Sequence, residues 1–186
     1  QRLAQEACEI EIKILKKPIG KQDQYAAAHG GLNIFTFNPD DSVVREKINL
    51  SNDQLRKFGS SLLLFYTGKT RSSSSILEDQ QQNTGNHRQS IEKMVGFVGD
   101  FKKSLEKIDS IQNIGSLMHA NWEEKKKLSK NISNSSIDIM YDRSIKYGAV
   151  GGKVSGAGGG GFLLLVVSRE NQHKVREALN NYREFP

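Results

Sequence analysis

Cysteine is nearly absent from this chain. Cys8 stands alone, so no disulfide can form within the sequence, a pattern expected of a reducing compartment such as the cytoplasm. Histidine is scarce too. His29, His87, His119 and His173 are scattered, without metal-ligand spacing. No apolar run approaches the roughly 18 residues that a membrane helix needs. Aromatic residues are 8% of the chain and do not interleave with its Lys and Arg clusters. A base-stacking nucleic-acid platform would require that interleaving. A net charge of +6 over 186 residues is modest. It can attract phosphate but singles out no partner. No internal repeat is present.

What remains is an ordinary globular composition, 36% hydrophobic and 26% charged, at a length that suits one domain or one and a half. The chain opens at Gln1 inside a helical pattern and stops at Phe185-Pro186 without a cap, so a piece of a longer protein is expected. Residues 1–16 read as a helix with Ala4, Cys8, Ile12 and Leu15 near one face, ended by Pro18 and Gly20. A short helix at 23–28 stops at Gly30-Gly31. A hairpin of strands 32–38 and 43–50 follows. We place a domain junction at Ser51-Asn52-Asp53, so that residues 1–50 and 51–186 form two parts.

In the second part, Leu62 to Tyr66 is a continuous apolar run suited to a buried strand, and Gly68 to Ser75 is a basic loop. A helix near 76–82 follows. Ile91, Met94, Val95, Val98, Phe101, Leu105 and Ile108 then recur at helical steps, and Asp109 restarts the pattern with Ile111, Ile114, Met118 and Trp122 on one stripe. Lys125-Lys126-Lys127 reads as a solvated face. Ser135-Ser136 caps a helix running to Tyr147. Strands at 149–155 and 162–168 and a last helix over 170–182 complete the chain. The order strand, helices, strand, strand, helix implies an α+β fold, with helices on one face of an antiparallel sheet.

The densest signal is Lys153-Val154-Ser155-Gly156-Ala157-Gly158-Gly159-Gly160-Gly161-Phe162, where five of the first nine residues are Gly. Glycines permit positive φ and close approach to the main chain, and successive free N–H groups make a concavity for an anion. The bland alternative is a flexible connection before a core strand. The stretch lacks the Lys-Ser/Thr of a phosphate loop. It also precedes a strand, where a dinucleotide fingerprint would open a helix.

With Gly20-Lys21-Gln22-Asp23-Gln24-Tyr25-Ala26-Ala27-Ala28-His29-Gly30-Gly31, this stretch resembles two elements of the GHMP small-molecule kinases. Tyr66-Thr67-Gly68-Lys69-Thr70-Arg71 and Ile76-Leu77-Glu78-Asp79-Gln80 resemble the subgroup that phosphorylates D-glycero-D-manno-heptose 7-phosphate on its anomeric oxygen. The resemblance implies the end of a ribosomal-S5-like N-terminal domain over 1–50 and a GHMP C-terminal domain over 51–186. It implies ATP and Mg²⁺ as cofactors and a 1,7-bisphosphate product for nucleotide-activated heptose synthesis. The partners it implies are a sugar phosphate and ATP, with no nucleic acid and no membrane, and it allows a homodimer. The superfamily's principal Gly-Leu-Gly-Ser-Ser-type loop is missing here and would lie upstream.

The resemblance also implies site residues. Asp23 takes the position of the catalytic aspartate; its bland alternative is a helix cap. A carboxylate can take the proton of an acceptor hydroxyl, and an anomeric hydroxyl is acidic enough for a weak base. Ser155, Gly156, Ala157, Gly158 and Gly159 would meet phosphate through backbone N–H groups. Arg71 and Lys153 would meet anionic oxygens. Gln22, Gln24 and Tyr25 would touch sugar hydroxyls, with packing an equal alternative for Tyr25. Mg²⁺ ligands are expected upstream. Fucose or galactose as acceptor, and a non-catalytic sugar- or RNA-binding domain, remain the alternatives.

Overall fold

The computed structural model describes residues 1–70, 76–79, 87–107 and 111–186. The chain divides into two compact units, Gln1–Asn49 and Leu50–Pro186.

In the first unit, α1 (Arg2–Cys8) continues into a π-helical stretch, Glu9–Ile14. The Leu15 N–H reaches back five residues to the Ile10 carbonyl, at 2.9 Å. This wider winding departs from the ordinary helical step and turns later side chains off the expected face. Ala4 and Cys8 are buried and Ile12 is half-buried, but Leu15 is exposed. Helix α2 (Gln22–His29) ends at Gly30. β1 (Asn33–Phe37) and β2 (Val43–Lys47) pair antiparallel, with Asn33 opposite Lys47 and Phe37 opposite Val43. The second strand is three residues shorter than its pattern predicts. Ala4, Cys8 and Tyr25 form the small core, with Phe35 and Val43 packed against it. Leu3, Ile10, Ile14, Phe37 and Val44 are exposed.

The second unit opens with α3 (Asn52–Gly59), started by a capping box. Ser51 accepts the Gln54 N–H, and the Gln54 side chain accepts the Ser51 N–H. Then come β3 (Leu62–Tyr66), one described helical turn α4 (76–79), α5 (Arg88–Lys107), α6 (Ile111–Lys126) and α7 (Ser135–Lys146). The chain continues as β4 (Ala149–Val154), β5 (Phe162–Val167), α8 (Gln172–Ala178) and β6 (Glu184–Phe185). The sheet is antiparallel in the order β4-β5-β3-β6, and helices pack against it.

Three local expectations are corrected. Asn134, not Ser135 or Ser136, caps α7, because its Oδ1 accepts the N–H groups of Ser136 and Ile137. The last helix stops at Ala178, and the chain turns so that Phe185 pairs with Leu64; Leu179 still reaches the core. Val95 and Val98, part of the apolar stripe of α5, are exposed, while Leu105 is buried.

The core gathers Trp122, Phe65, Ile132, Met140, Val154, Leu163 and Leu165. Helix α6 seats directly on β4. A Cβ at Gly151 would lie 2.0 Å from the Gly115 carbonyl oxygen, so only glycine allows this backbone-to-backbone approach. The crossing fixes where the far end of α6 arrives. Among the described residues, no helix is long and apolar enough to cross a membrane.

Candidate active site

The β4–β5 ladder pairs Lys153 with Leu164 and Val154 with Leu163, and the Ser155 N–H closes it on the Phe162 carbonyl at 2.8 Å. Residues 156–161 form the loop between the strands. Gly156, Gly158, Gly159 and Gly161 have φ of 73, 109, 74 and 87°. Glycine is required most plainly at Gly158, where a Cβ would lie 2.7 Å from the Ile132 carbonyl oxygen.

The loop is held from several sides. The Gly159 N–H donates to the Ile132 carbonyl at 2.7 Å, and the Asn134 amide donates to the Gly159 carbonyl at 3.3 Å. Asn134 therefore caps α7 and holds the loop with one side chain. The Gly161 N–H donates to the Lys69 carbonyl at 2.8 Å, and the Thr67 N–H and hydroxyl both donate to the Gly161 carbonyl. The Ala157 methyl packs on the core. This is an anchored turn and not a slack connection.

The anchors decide which N–H groups remain. Those of Gly156, Ala157, Gly158 and Gly160 have no acceptor among the described residues. The expectation for Gly159 is corrected, since its N–H is already committed to Ile132. Ser155 is exposed, but its N–H belongs to the ladder.

Lys153 is half-buried in β4 and has no carboxylate partner among the described residues. Burial pulls its pKa below the ordinary lysine value. A desolvated, unpaired ammonium is a ready counter-charge for an anion. Arg71 lies outside the described residues.

The Lys125-Lys126-Lys127 run is not simply a solvated face. Lys126 pairs with Glu123 at 2.7 Å and Lys127 with Glu124 at 2.8 Å. The Lys125 ammonium donates to the Gly156 carbonyl. Nothing in the sequence links Lys125 to a glycine so far along the chain. Glu124, almost fully buried, has its carboxyl held down at about 2, first by the Lys127 bond and then by Ser90.

In the first unit, Asp23 sits in the first turn of α2, exposed. Lys21 is the N-cap and no side-chain cap bond forms, so Asp23 does not serve as the cap. Its carboxylate makes no hydrogen bond or ion pair among the described residues. Asp23 and Gln24 line an open groove of about 500 Å³ with Leu3, Ala7, Ile10 and Glu11. The Gln24 Nε2 donates to Glu11 Oε2 at 2.5 Å, and the buried Gln24 Oε1 has no partner among the described residues. That bond, and a second from Lys17, hold the Glu11 carboxyl below its usual range. Sequence reasoning missed Glu11. Gln22 is exposed. Tyr25 packs in the core, edge-on to Phe35 and Phe37 with centroids 5.8 Å away in each case. Among the described residues, no group of three or more His, Cys, Asp or Glu is placed to hold a metal ion.

The second unit is thus an antiparallel sheet with helices packed on it and a clamped glycine loop between two of its strands. Residues 101–184 match the family model described as GHMP kinases C terminal. It is 31% identical over 180 residues to the D-glycero-alpha-D-manno-heptose 7-phosphate kinase of Campylobacter jejuni, covering 95% of this chain and 52% of that protein. It is 30% identical over 118 residues to the L-fucokinase/L-fucose-1-P guanylyltransferase of Bacteroides fragilis, covering 61% of this chain and 12% of the relative. The solved structure of a D-glycero-D-manno-heptose 1-phosphate kinase from Bacteriodes thetaiotaomicron matches with a TM-score of 0.71 and 29% identity, over 98% of this chain and 50% of that one. The chain thus spans about half the length of the two heptose kinases.

Proposed function

We propose that the chain is the C-terminal part of an ATP-dependent kinase that phosphorylates a sugar phosphate on its anomeric hydroxyl, with D-glycero-D-manno-heptose 7-phosphate as acceptor. The observation that carries this reading is the clamped loop at 156–161, with four N–H groups that have no acceptor among the described residues and a desolvated Lys153 on the strand that leads into it. Its support in sequence is the 31% identity to a heptose 7-phosphate kinase across 95% of the chain.

In a loose phosphoryl-transfer transition state the protein mainly positions groups and neutralises charge. The N–H groups of Gly156, Ala157 and Gly158 bind phosphate oxygens, and Lys153 supplies a cation. Asp23 takes the proton from the acceptor hydroxyl, and Gln22 and Gln24 bind sugar hydroxyls. ATP arrives with Mg²⁺, whose ligands belong to the preceding part of the polypeptide; the described residues offer no ligand cluster for it. Residues 1–50 are then the end of a ribosomal-S5-like N-terminal domain. The principal phosphate loop belongs to the preceding part of a longer polypeptide, acting in the cytoplasm.

The test is a coupled ADP-release assay on the 186-residue chain and on its full-length parent, with heptose 7-phosphate, fucose and galactose in turn. The parent is expected to prefer the heptose phosphate, and the chain by itself to be inactive. Preference for fucose or galactose would reassign the acceptor within the family. Comparable turnover by the short chain would show that the upstream half is not needed. A parent inactive on all three sugars would reject the kinase reading.

A further inference from the structure

We infer that Lys125 is a positioning residue that sets the direction of the Ala157 N–H in the glycine loop. The inference rests on the reading of this loop as a phosphate site. Lys125 lies at the C-terminal end of α6, and the Gly115–Gly151 contact fixes how that helix lies on β4. Its ammonium donates to the carbonyl oxygen of Gly156. In a trans peptide the carbonyl and the following N–H point in opposite directions. A carbonyl drawn toward α6 therefore turns the Ala157 N–H away from that helix.

Without this bond the peptide between Gly156 and Ala157 has room to rotate. Gly156 has φ of 73°, and among the described residues nothing beyond its chain neighbours lies within 4 Å of the place a Cβ would occupy, so packing on that side does not hold it. From Ala157 onward the methyl packs on the core and the later anchors take over. The Lys125 bond is the anchor on the open, leading edge of the loop. Ala157 N–H has no acceptor among the described residues, so its direction is what a bound anion would sense.

The experiment is amide and carbonyl NMR on the isotope-labelled 186-residue chain, free and titrated with inorganic phosphate and with ATP, for wild type, Lys125→Met and Lys125→Arg. Dispersed resonances outside the loop serve as the folding control, and Lys125→Gln replaces the Met variant if that control fails. In the free protein, Lys125→Met is expected to move the Gly156 carbonyl resonance. It should also abolish the phosphate response of the Ala157 amide and weaken phosphate binding about tenfold. Lys125→Arg is expected to restore both. If the Gly156 carbonyl does not move, or if all loop amides weaken alike, Lys125 does not position the peptide, and the phosphate reading of the loop stands. If wild-type loop amides respond to neither phosphate nor ATP, the phosphate reading falls and this inference falls with it.

Discussion

Gly158→Ala tests whether the glycine loop is a built site. Gly158 has φ of 109°, and an added Cβ would lie 2.7 Å from the Ile132 carbonyl oxygen and 3.0 Å from Ile132 Cα. Ile132 is fully buried, and its carbonyl already accepts the Gly159 N–H, so it has little freedom to yield. The backbone conformation costs a non-glycine residue about 1–3 kcal/mol. The overpacking adds about 1–3 kcal/mol if Ile132 shifts. We expect a total loss of about 2–6 kcal/mol and, at about 2–4 °C per kcal/mol, a Tm lower by about 4–24 °C. Gly156→Ala is the matched control. Its φ of 73° is also left-handed, but among the described residues its Cβ would meet nothing within 4 Å beyond its chain neighbours, so only a backbone cost of about 1–2 kcal/mol remains. Denaturant unfolding followed by circular dichroism measures both variants, and phosphate or ATP titration by calorimetry reads the loop. Equal losses for the two variants would refute the claim that the Ile132 contact holds the loop. Unchanged anion affinity in a folded Gly158→Ala protein would favour the plain hairpin connection.

Asp23→Asn, in the longer polypeptide proposed above, keeps the side-chain shape but removes the proposed base. We expect kcat to fall on the order of 10²–10⁴-fold with unfolding unchanged, and near-wild-type turnover would take Asp23 out of the mechanism. Lys153→Met removes a desolvated ammonium that has no carboxylate partner among the described residues. It should raise the Tm while weakening phosphate or ATP binding on the order of tenfold, and a lower Tm with unchanged binding would assign Lys153 to packing. Glu124 sets an acid limb. Its carboxyl is held at about 2 in the folded chain, against about 4.3 when unfolded, so its contribution is complete above the unfolded value and is lost as pH falls toward 2. Glu124→Gln should flatten the stability profile between those values, and an unaltered acid slope would reject this assignment.

The local elements of this protein are written in its sequence. Helical spacing marks α5 and α6, and apolar runs mark β3 and β5. The glycine stretch and the Asp23 helix are likewise short patterns, legible because each is set by residues adjacent in the chain. Other features depend on what the chain meets after folding. The π-helical stretch that turns Leu15 outward, and the two-residue strand β6 that needs β3 beside it, have no local signature. The division of labour within the glycine loop is of the same kind. Whether an N–H is free is decided by an acceptor elsewhere: Ile132 takes the Gly159 N–H and Lys69 takes that of Gly161. Lys125 shows the limit most clearly. In sequence it is one of three lysines in a charged run. In the fold, the glycine-to-glycine seat of α6 on β4 sets its helix in place, and its ammonium meets the Gly156 carbonyl. Hydrogen bonds between distant residues follow from tertiary packing, which periodicity does not encode.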